Sequence, residues 1–207
     1  MNALDLDGFD YAVPLPPQLT IEHIAAAIDY VEDESAELID VYLEQANLFS
    51  AVVGIFGTKA LDAFSTYKKH KHPDVAQQRF PDLSLGGRLD SPPAHALESK
   101  GTKRPWELQS HYDHPGWYIV WRYLVDPTKR YKPGKLVAVW RVDVKFLTKD
   151  DWKYEGSTAG VLGGGRTHTF GVKCPRSTFK GSSVYQCPRV VVKHGVPTLR
   201  SAQETAG

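Results

Sequence analysis

Two β-rich runs, Trp117-Tyr-Ile-Val-Trp-Arg-Tyr-Leu-Val125 and Leu136-Val-Ala-Val-Trp-Arg-Val-Asp-Val144, constrain the fold of this chain more than any other feature. Runs of that length, rich in β-branched and aromatic residues and bounded by the Pro127 to Gly134 loop, read as central strands of a sheet. The sequence before them has a different period. Thr20 is a suitable N-cap, and Ile21, Ile24, Ala25 and Ile28 fall on one helical face. Leu38, Val41, Tyr42, Leu48, Phe49, Val52, Val53 and Phe56 repeat that pattern. The helices are expected to end near His70 to Pro73, and this apolar face is expected to serve as core or dimer interface. Residues 1–19 are acidic and proline-rich, ending in Pro14-Leu-Pro-Pro17, and read as an extended arm. The expected organisation is one α/β (α+β) domain over 1–207: the arm 1–19, a helical region 20–72 and a core 77–195. A chain of 207 residues can bury such a core without disulfides or structural metals.

Charge alone does not announce a nucleic-acid binder, since 25 basic against 24 acidic residues leave a net charge of +1. Charge can still be focused in a cleft. Lys68, Lys69 and Lys71 with His70 and His72, then Lys103-Arg104, Lys129-Arg130 and Arg166, are the local basic groups, and solvated surface is the other reading of the first cluster. The N-terminus carries Asp5, Asp7 and Asp10 where a signal peptide needs basic residues, and no apolar stretch has the length of a membrane span. A bacterial or archaeal cytoplasmic location is expected. Cys174 and Cys187, with twelve residues between them, form no Cys-x-x-Cys pair. Zinc binding would need His168 or His194, so reduced, partly buried thiols are expected.

The chemistry-bearing pattern is Pro81-Asp82 followed, after fifteen residues, by Glu98-Ser99-Lys100. Phe80-Pro-Asp-Leu-Ser-Leu85 alternates like a strand, Gly86-Gly87 marks a turn, and Ala94 to Lys100 reads as the returning strand, closed by Gly101. One hairpin then carries all three groups. Glu98 and Lys100 project from one strand face, Ser99 from the other. Two carboxylates supply hard oxygen ligands for Mg²⁺, with the Ser99 carbonyl in reach, and Lys100 can orient or deprotonate a water. Asp90 is the reserve ligand should the hairpin be shorter. The competing reading is a surface ion pair between Glu98 and Lys100, which stabilises little.

Pro105 to Asp113 reads as a short helix, closed by His114-Pro-Gly116, on which Gln109, Ser110 and His111 are alternative base-reading groups. The Gly160 to Thr169 stretch has three consecutive glycines at 163 to 165 but lacks the ending of a P-loop and the setting of a dinucleotide fingerprint. Gly164, Gly165, Arg166, Thr167, His168 and Thr169 instead suit a mobile arm that reads base edges or phosphates, the alternative being a plain β-turn.

Taken in order, these residues resemble the PD-(D/E)xK nucleases, among them the type II restriction endonucleases of the EcoRV kind, over roughly residues 76 to 172. Gln77-Gln78 is similar to a glutamine-bearing loop before the catalytic aspartate there. Asp151-Trp152, Gly156, Ala159-Gly160 and the polar glycine-rich stretch to Phe170-Gly171 resemble the segment carrying the recognition loop. The resemblance implies a mixed sheet flanked by helices, a homodimer acting on duplex DNA, and a companion DNA methyltransferase specific for the same site. It implies Asp82, Glu98 and Ser99 as Mg²⁺ ligands, Lys100 serving the nucleophile, and DNA contacts from Gln77, Gln78, Lys103, Arg104 and residues 164–169. Two departures stand out. Gly54 takes the place of a helical glutamate, for which Glu44 is the substitute, and the glycine loop is longer.

The leading expectation is therefore a Mg²⁺-dependent endonuclease cutting duplex DNA at a palindromic site and leaving a 5′-phosphate and a 3′-hydroxyl. A nuclease specific for junctions or mismatches, and a non-catalytic DNA-binding module, are the alternatives.

Overall fold

A computed structural model of the chain describes residues 6–76, 79–159 and 166–200. In chain order its elements are α1 (Ile21–Glu37), α2 (Ile39–Glu44), α3 (Ala46–Phe64), β1 (Tyr67–Lys68), β2 (Leu83–Leu85), β3 (Ala96–Thr102), β4 (Gln109–Ser110), β5 (Gly116–Val125), β6 (Val137–Leu147), β7 (Trp152–Ala159), β8 (Arg166–Val172), α4 (Pro175–Thr178), β9 (Ser183–Gln186), β10 (Val190–Lys193) and β11 (Val196–Leu199). The chain is mixed α+β. Its main sheet is ordered β1-β2-β3-β5-β6-β9, with β3 and β5 parallel and the other pairings antiparallel. No helix among the described residues is long and apolar enough to cross a membrane.

The expected central strands are β5 and β6, and their two faces meet different partners. Ile119, Trp121 and Tyr123 join the core beneath α1 and α3, whereas Tyr118 and Val120 join a second cluster with Leu108, Leu147, Trp152, Val172 and Phe179. The near-continuous apolar runs follow from this two-sided burial. That second cluster is roofed by the ribbon β4-β8-β7. Near Trp140 the register slips from Arg122↔Arg141 to Tyr123↔Val139, a bulge that keeps Val137 and Val139 facing the helices together with Val142 and Val144.

The first helix starts where the N-cap signal stands. The Thr20 hydroxyl accepts from the His23 amide at 3.4 Å, and the Thr20 amide donates to His23 Nδ1 at 3.2 Å. Ile21, Ile24, Ala25, Ile28, Phe49, Val53 and Phe56 of the apolar stripe are buried, so most of it is core. The stripe therefore does not by itself demand a second copy. Leu38 and Leu48 remain exposed, as do Leu43 and Ile55.

Several expected boundaries are corrected. The helices stop at Phe64 because Ser65 caps the end: its hydroxyl donates to the Leu61 carbonyl at 2.6 Å and accepts from the Tyr67 amide at 3.0 Å, launching β1. The returning strand β3 runs through Gly101 to Thr102, paired with Trp121 and Arg122 of β5. The short helix expected over Pro105 to Asp113 is instead β4, fixed by pairing Gln109 and Ser110 with Gly171 and Phe170. The arm packs back onto β9, where the Asp10 amide donates to the Val184 carbonyl at 3.0 Å and the Gln186 amide to the Gly8 carbonyl at 2.9 Å. Cys174 is exposed rather than partly buried, and Cys187 is buried.

Helix α3 lies unusually close to β3. A Cβ added at Gly57 would overlap Trp121 Nε1 and come within 2.7 Å of Ser99 Oγ, and one at Gly101 would overlap the Ser50 carbonyl. The Ser99 hydroxyl bridges the layers, donating to the Gly54 carbonyl at 2.8 Å and accepting from Trp121 Nε1 at 2.9 Å. Replacing a helix-interior glycine by alanine ordinarily stabilises by about 1 kcal/mol. Here the sign should reverse for Gly57→Ala, with a net loss of about 1–3 kcal/mol typical of overpacking. Gly54→Ala, whose nearest contact would be 3.2 Å, should lose less. Urea denaturation of both variants checks this ranking, and an unchanged Gly57→Ala would mean that the helix tolerates a wider spacing.

Candidate active site

The hairpin register puts the motif together. Strand β2 pairs with β3 through Leu83↔Leu97 and Ser84↔Ala96, so one step further sets Asp82 opposite Glu98. Beyond that point β2 has no more residues to offer, and side chains replace the ladder. The Ser99 amide donates to Asp82 Oδ2 at 3.0 Å, and the Asp82 amide donates to Glu98 Oε2 at 3.0 Å. Lys100 Nζ donates to Glu98 Oε1 at 2.6 Å. Period-two alternation keeps Glu98 and Lys100 on the face away from α3 while Ser99 points into it.

This is not a surface ion pair. Glu98 is 4% exposed, and the Lys100 side chain is 24% exposed. Burial holds the Glu98 carboxyl above the usual carboxylate range, with the neighbouring Asp82 charge adding and Lys100 opposing. Burial alone would lower the Lys100 ammonium, but Glu98 and Asp82 outweigh it and hold it above its ordinary value. Resting Lys100 is thus a cation that holds and orients rather than a free base. Tyr118 feels the same field: burial, then Glu98, Asp113 and Asp82, raise its hydroxyl, which donates to the His114 carbonyl at 2.9 Å.

Asp82, Ser99 and Lys100 border a cleft of about 390 Å³ at the open edge of β3, with Glu98 buried behind them. One wall is α3, through Ser50, Gly54, Ile55 and Thr58; the other is Gln109, Ser110, His111 and Thr169. The α3 wall was not anticipated from the sequence, although the spacing of Ser50, Gly54 and Thr58 is a signal for a small, polar helical stripe. Gly54 sits where the helical glutamate was expected, and its added Cβ would already meet the Gly101 amide at 3.2 Å and the Ser99 carbonyl at 3.3 Å. Glu44 ends α2 and is exposed, outside the cleft lining. Asp90 is exposed in the connection at the far end of the hairpin, so the reserve register does not apply.

The expected DNA contacts divide. Lys103 and Arg104 follow β3 directly and are exposed, Lys103 lying 5.0 Å from the Tyr42 ring centroid. Thr169 lines the cleft, and His168 contacts it indirectly: its carbonyl lies 3.2 Å from His111 Nδ1, and its Nδ1 lies 3.3 Å from the Tyr154 hydroxyl. Arg166 to Thr169 belong to β8, a ribbon strand paired with β7, rather than to a loop. Gln77, Gln78, Gly164 and Gly165 lie outside the described residues. On the β4 side, Gln109 Nε2 donates to Glu155 Oε2 at 2.8 Å, and that bond, then Lys153, holds the Glu155 carboxyl below its ordinary value.

The donor set fits a hard divalent cation. Asp82 Oδ2, both Glu98 oxygens and the Ser99 carbonyl are oxygen donors, and each carboxylate oxygen keeps a lone pair beyond the bond it accepts. Ser99 presents its carbonyl on the same strand edge as the amide that meets Asp82. Among the described residues no group of three or more His, Cys, Asp or Glu side chains gathers, so Cys174 and Cys187 have no zinc partners there.

A carboxyl raised by burial binds its proton more tightly in the folded than in the unfolded chain. Its contribution to stability is complete below the unfolded value of about 4.3 and is lost as pH rises through the folded value. Relative to Glu98→Gln, the wild-type chain should therefore lose stability as pH rises above about 4. Denaturant titrations across that rise check it, and a relative gain by the wild type would refute the direction assigned to Glu98.

No protein-family model, curated protein or solved structure matches the chain.

Proposed function

We propose that this chain is a Mg²⁺-dependent type II restriction endonuclease with a PD-(D/E)xK fold, hydrolysing phosphodiester bonds of duplex DNA at a palindromic site and leaving a 5′-phosphate and a 3′-hydroxyl. One observation carries the reading: Asp82, Glu98 and Lys100 converge, hydrogen-bonded in series, on a strand edge that opens into a cleft. The mixed sheet flanked by helices is compatible with that fold. Two carboxylates forced together, one of them buried, form a costly arrangement that a structural ion pair does not need. Asp82, Glu98 and the Ser99 carbonyl would hold Mg²⁺. When bound, the ion supplies Lewis-acid polarisation of the phosphate and neutralises charge developing on it. Lys100, kept protonated by Glu98, orients the attacking water and stabilises the same charge.

Lys103 and Arg104 position the phosphate backbone, while Arg166, Thr167, His168 and Thr169 of the ribbon, with Gln77, Gln78, Gly164 and Gly165, approach the base edges. A homodimer gives each strand its own site, and exposed Leu43, Leu48 and Ile55 on α2 and α3 are suitable contact residues. A companion methyltransferase would protect the same sequence, and the pair would act in a bacterial or archaeal cytoplasm.

Plasmid incubated with Mg²⁺ should be cut at one palindromic sequence, and in chelator it should be bound without cleavage. Lys100→Ala should lose about 10²–10³-fold in rate, as expected for removal of a group that stabilises developing charge. Asp82→Ala and Glu98→Ala should be inactive, while all three variants still bind DNA. Cleavage confined to junctions or mismatches would transfer the site to the structure-specific reading. Binding without cleavage under every divalent ion would leave the non-catalytic module, and full activity in Asp82→Ala would remove the site altogether.

DNA affinity provides a second test. Lys103→Ala and Arg104→Ala should weaken binding to all sequences and flatten its salt dependence. Arg166→Ala and His168→Ala should instead lower the ratio of cognate to non-cognate cleavage. An unchanged ratio in both would shift base reading to Gln109, Ser110 and His111.

A further inference from the structure

On the same sheet face as Glu98 and Lys100, but on the next two strands, β5 and β6, a second buried charge network faces a separate cavity of about 1210 Å³. Asp143, fully buried, accepts from Arg122 Nε at 2.5 Å and from Arg141 Nε at 2.6 Å. The two arginines then differ. Arg122 spends its remaining donors on the Arg104, Glu107 and Trp106 carbonyls at 2.7, 3.3 and 3.1 Å. Arg141, 5% exposed, has no acceptor for either Nη among the described residues and lines the cavity. Its guanidinium lies 4.3 Å from the Trp106 ring centroid, which fixes the fork. One carboxylate is in direct contact with two arginines, so the buried group carries a net positive charge that only the more distant Glu107 offsets. Arg176 and Lys180 add two exposed cations to the lining, against Asp10 and Glu107.

We infer that this cavity binds a phosphate group, held end-on by the two free Nη groups of Arg141 and flanked by Arg176 and Lys180. A planar fork with two parallel donors matches an oxyanion, and an anion answers the surplus of one cation that Arg141, Arg176 and Lys180 hold over Asp10 and Glu107. The phosphate belongs either to a free small molecule or to the backbone of a duplex. This site is independent of the nuclease reading, sharing no lining residue with the catalytic cleft.

Calorimetric titration with inorganic phosphate, and separately with a deoxynucleoside monophosphate, at ionic strength held constant with chloride, tests it. One phosphate per chain is expected. The Arg176→Ala/Lys180→Ala double variant, which removes only exposed side chains, should weaken uptake at least about tenfold, the scale of lost charge-assisted bonds. Arg141→Lys, which keeps the charge but not the fork, should weaken it further. If neither small ligand binds but the double variant and Arg141→Lys lower duplex affinity in chelator, the phosphate is the duplex's own. Uptake lost in Lys100→Ala and retained in the double variant would assign it to the catalytic cleft and overturn the inference. So would no uptake together with unchanged duplex affinity.

Discussion

The close approach of α3 to β3 is the constraint on which the rest of the molecule depends. Without side chains at Gly54, Gly57 and Gly101 the helix backbone reaches the strand, and Ser99 spans the gap between Gly54 and Trp121. Because Ser99 is committed to the helix, its neighbours Glu98 and Lys100 are committed to the opposite face. The packing of one face thereby orients the chemistry of the other. It also sets the floor of the cleft, since the helix that is pressed against β3 continues past its open edge as a wall.

That sheet face carries two charged groups with opposite accounts. The Arg122, Asp143 and Arg141 network lies among the largest buried side chains and ties the 104–107 segment to β5 through main-chain carbonyls. The same segment leads from β3 to β4, so the wall of the cleft is fixed from behind by a buried guanidinium. The Asp82, Glu98 and Lys100 group is instead short of compensation, with burial and like charge acting together on Glu98. Arg122 is thus compensated on every side within the fold, whereas Glu98 is not.

Legibility in the sequence followed locality. The central strands were readable because double-sided burial writes continuous apolar runs, and the β2-β3 hairpin because alternation and Gly86-Gly87 fix it within twenty residues. Strand β4 was not readable, since Gln109 and Ser110 become a strand only by pairing with Phe170 and Gly171 far along the chain. The end of α3 was misread because a single hydroxyl, that of Ser65, decides it. Arg122, Arg141 and Asp143 were visible as charges inside apolar runs, yet their mutual geometry depends on the β5–β6 register, which pairs Arg122 with Arg141 and which neither run encodes alone. The convergence of Asp82 with Glu98 was legible as spacing, while the cleft walls were not, because they come from elements on either side of the hairpin.

The N-terminal arm has a consequence for solubility. A sheet edge offers unpaired amides and carbonyls to any passing strand. Here the β9 edge is occupied by Gly8 to Asp10, and the opposite edge, β1, is only two residues long. Gly8 has φ +86°, and any side chain there would strike the Gln186 carbonyl, so the cover depends on that glycine. A chain with the arm displaced would expose a ready template for cross-strand aggregation, and Gly8 to Asp10 thus act as a built-in guard against it.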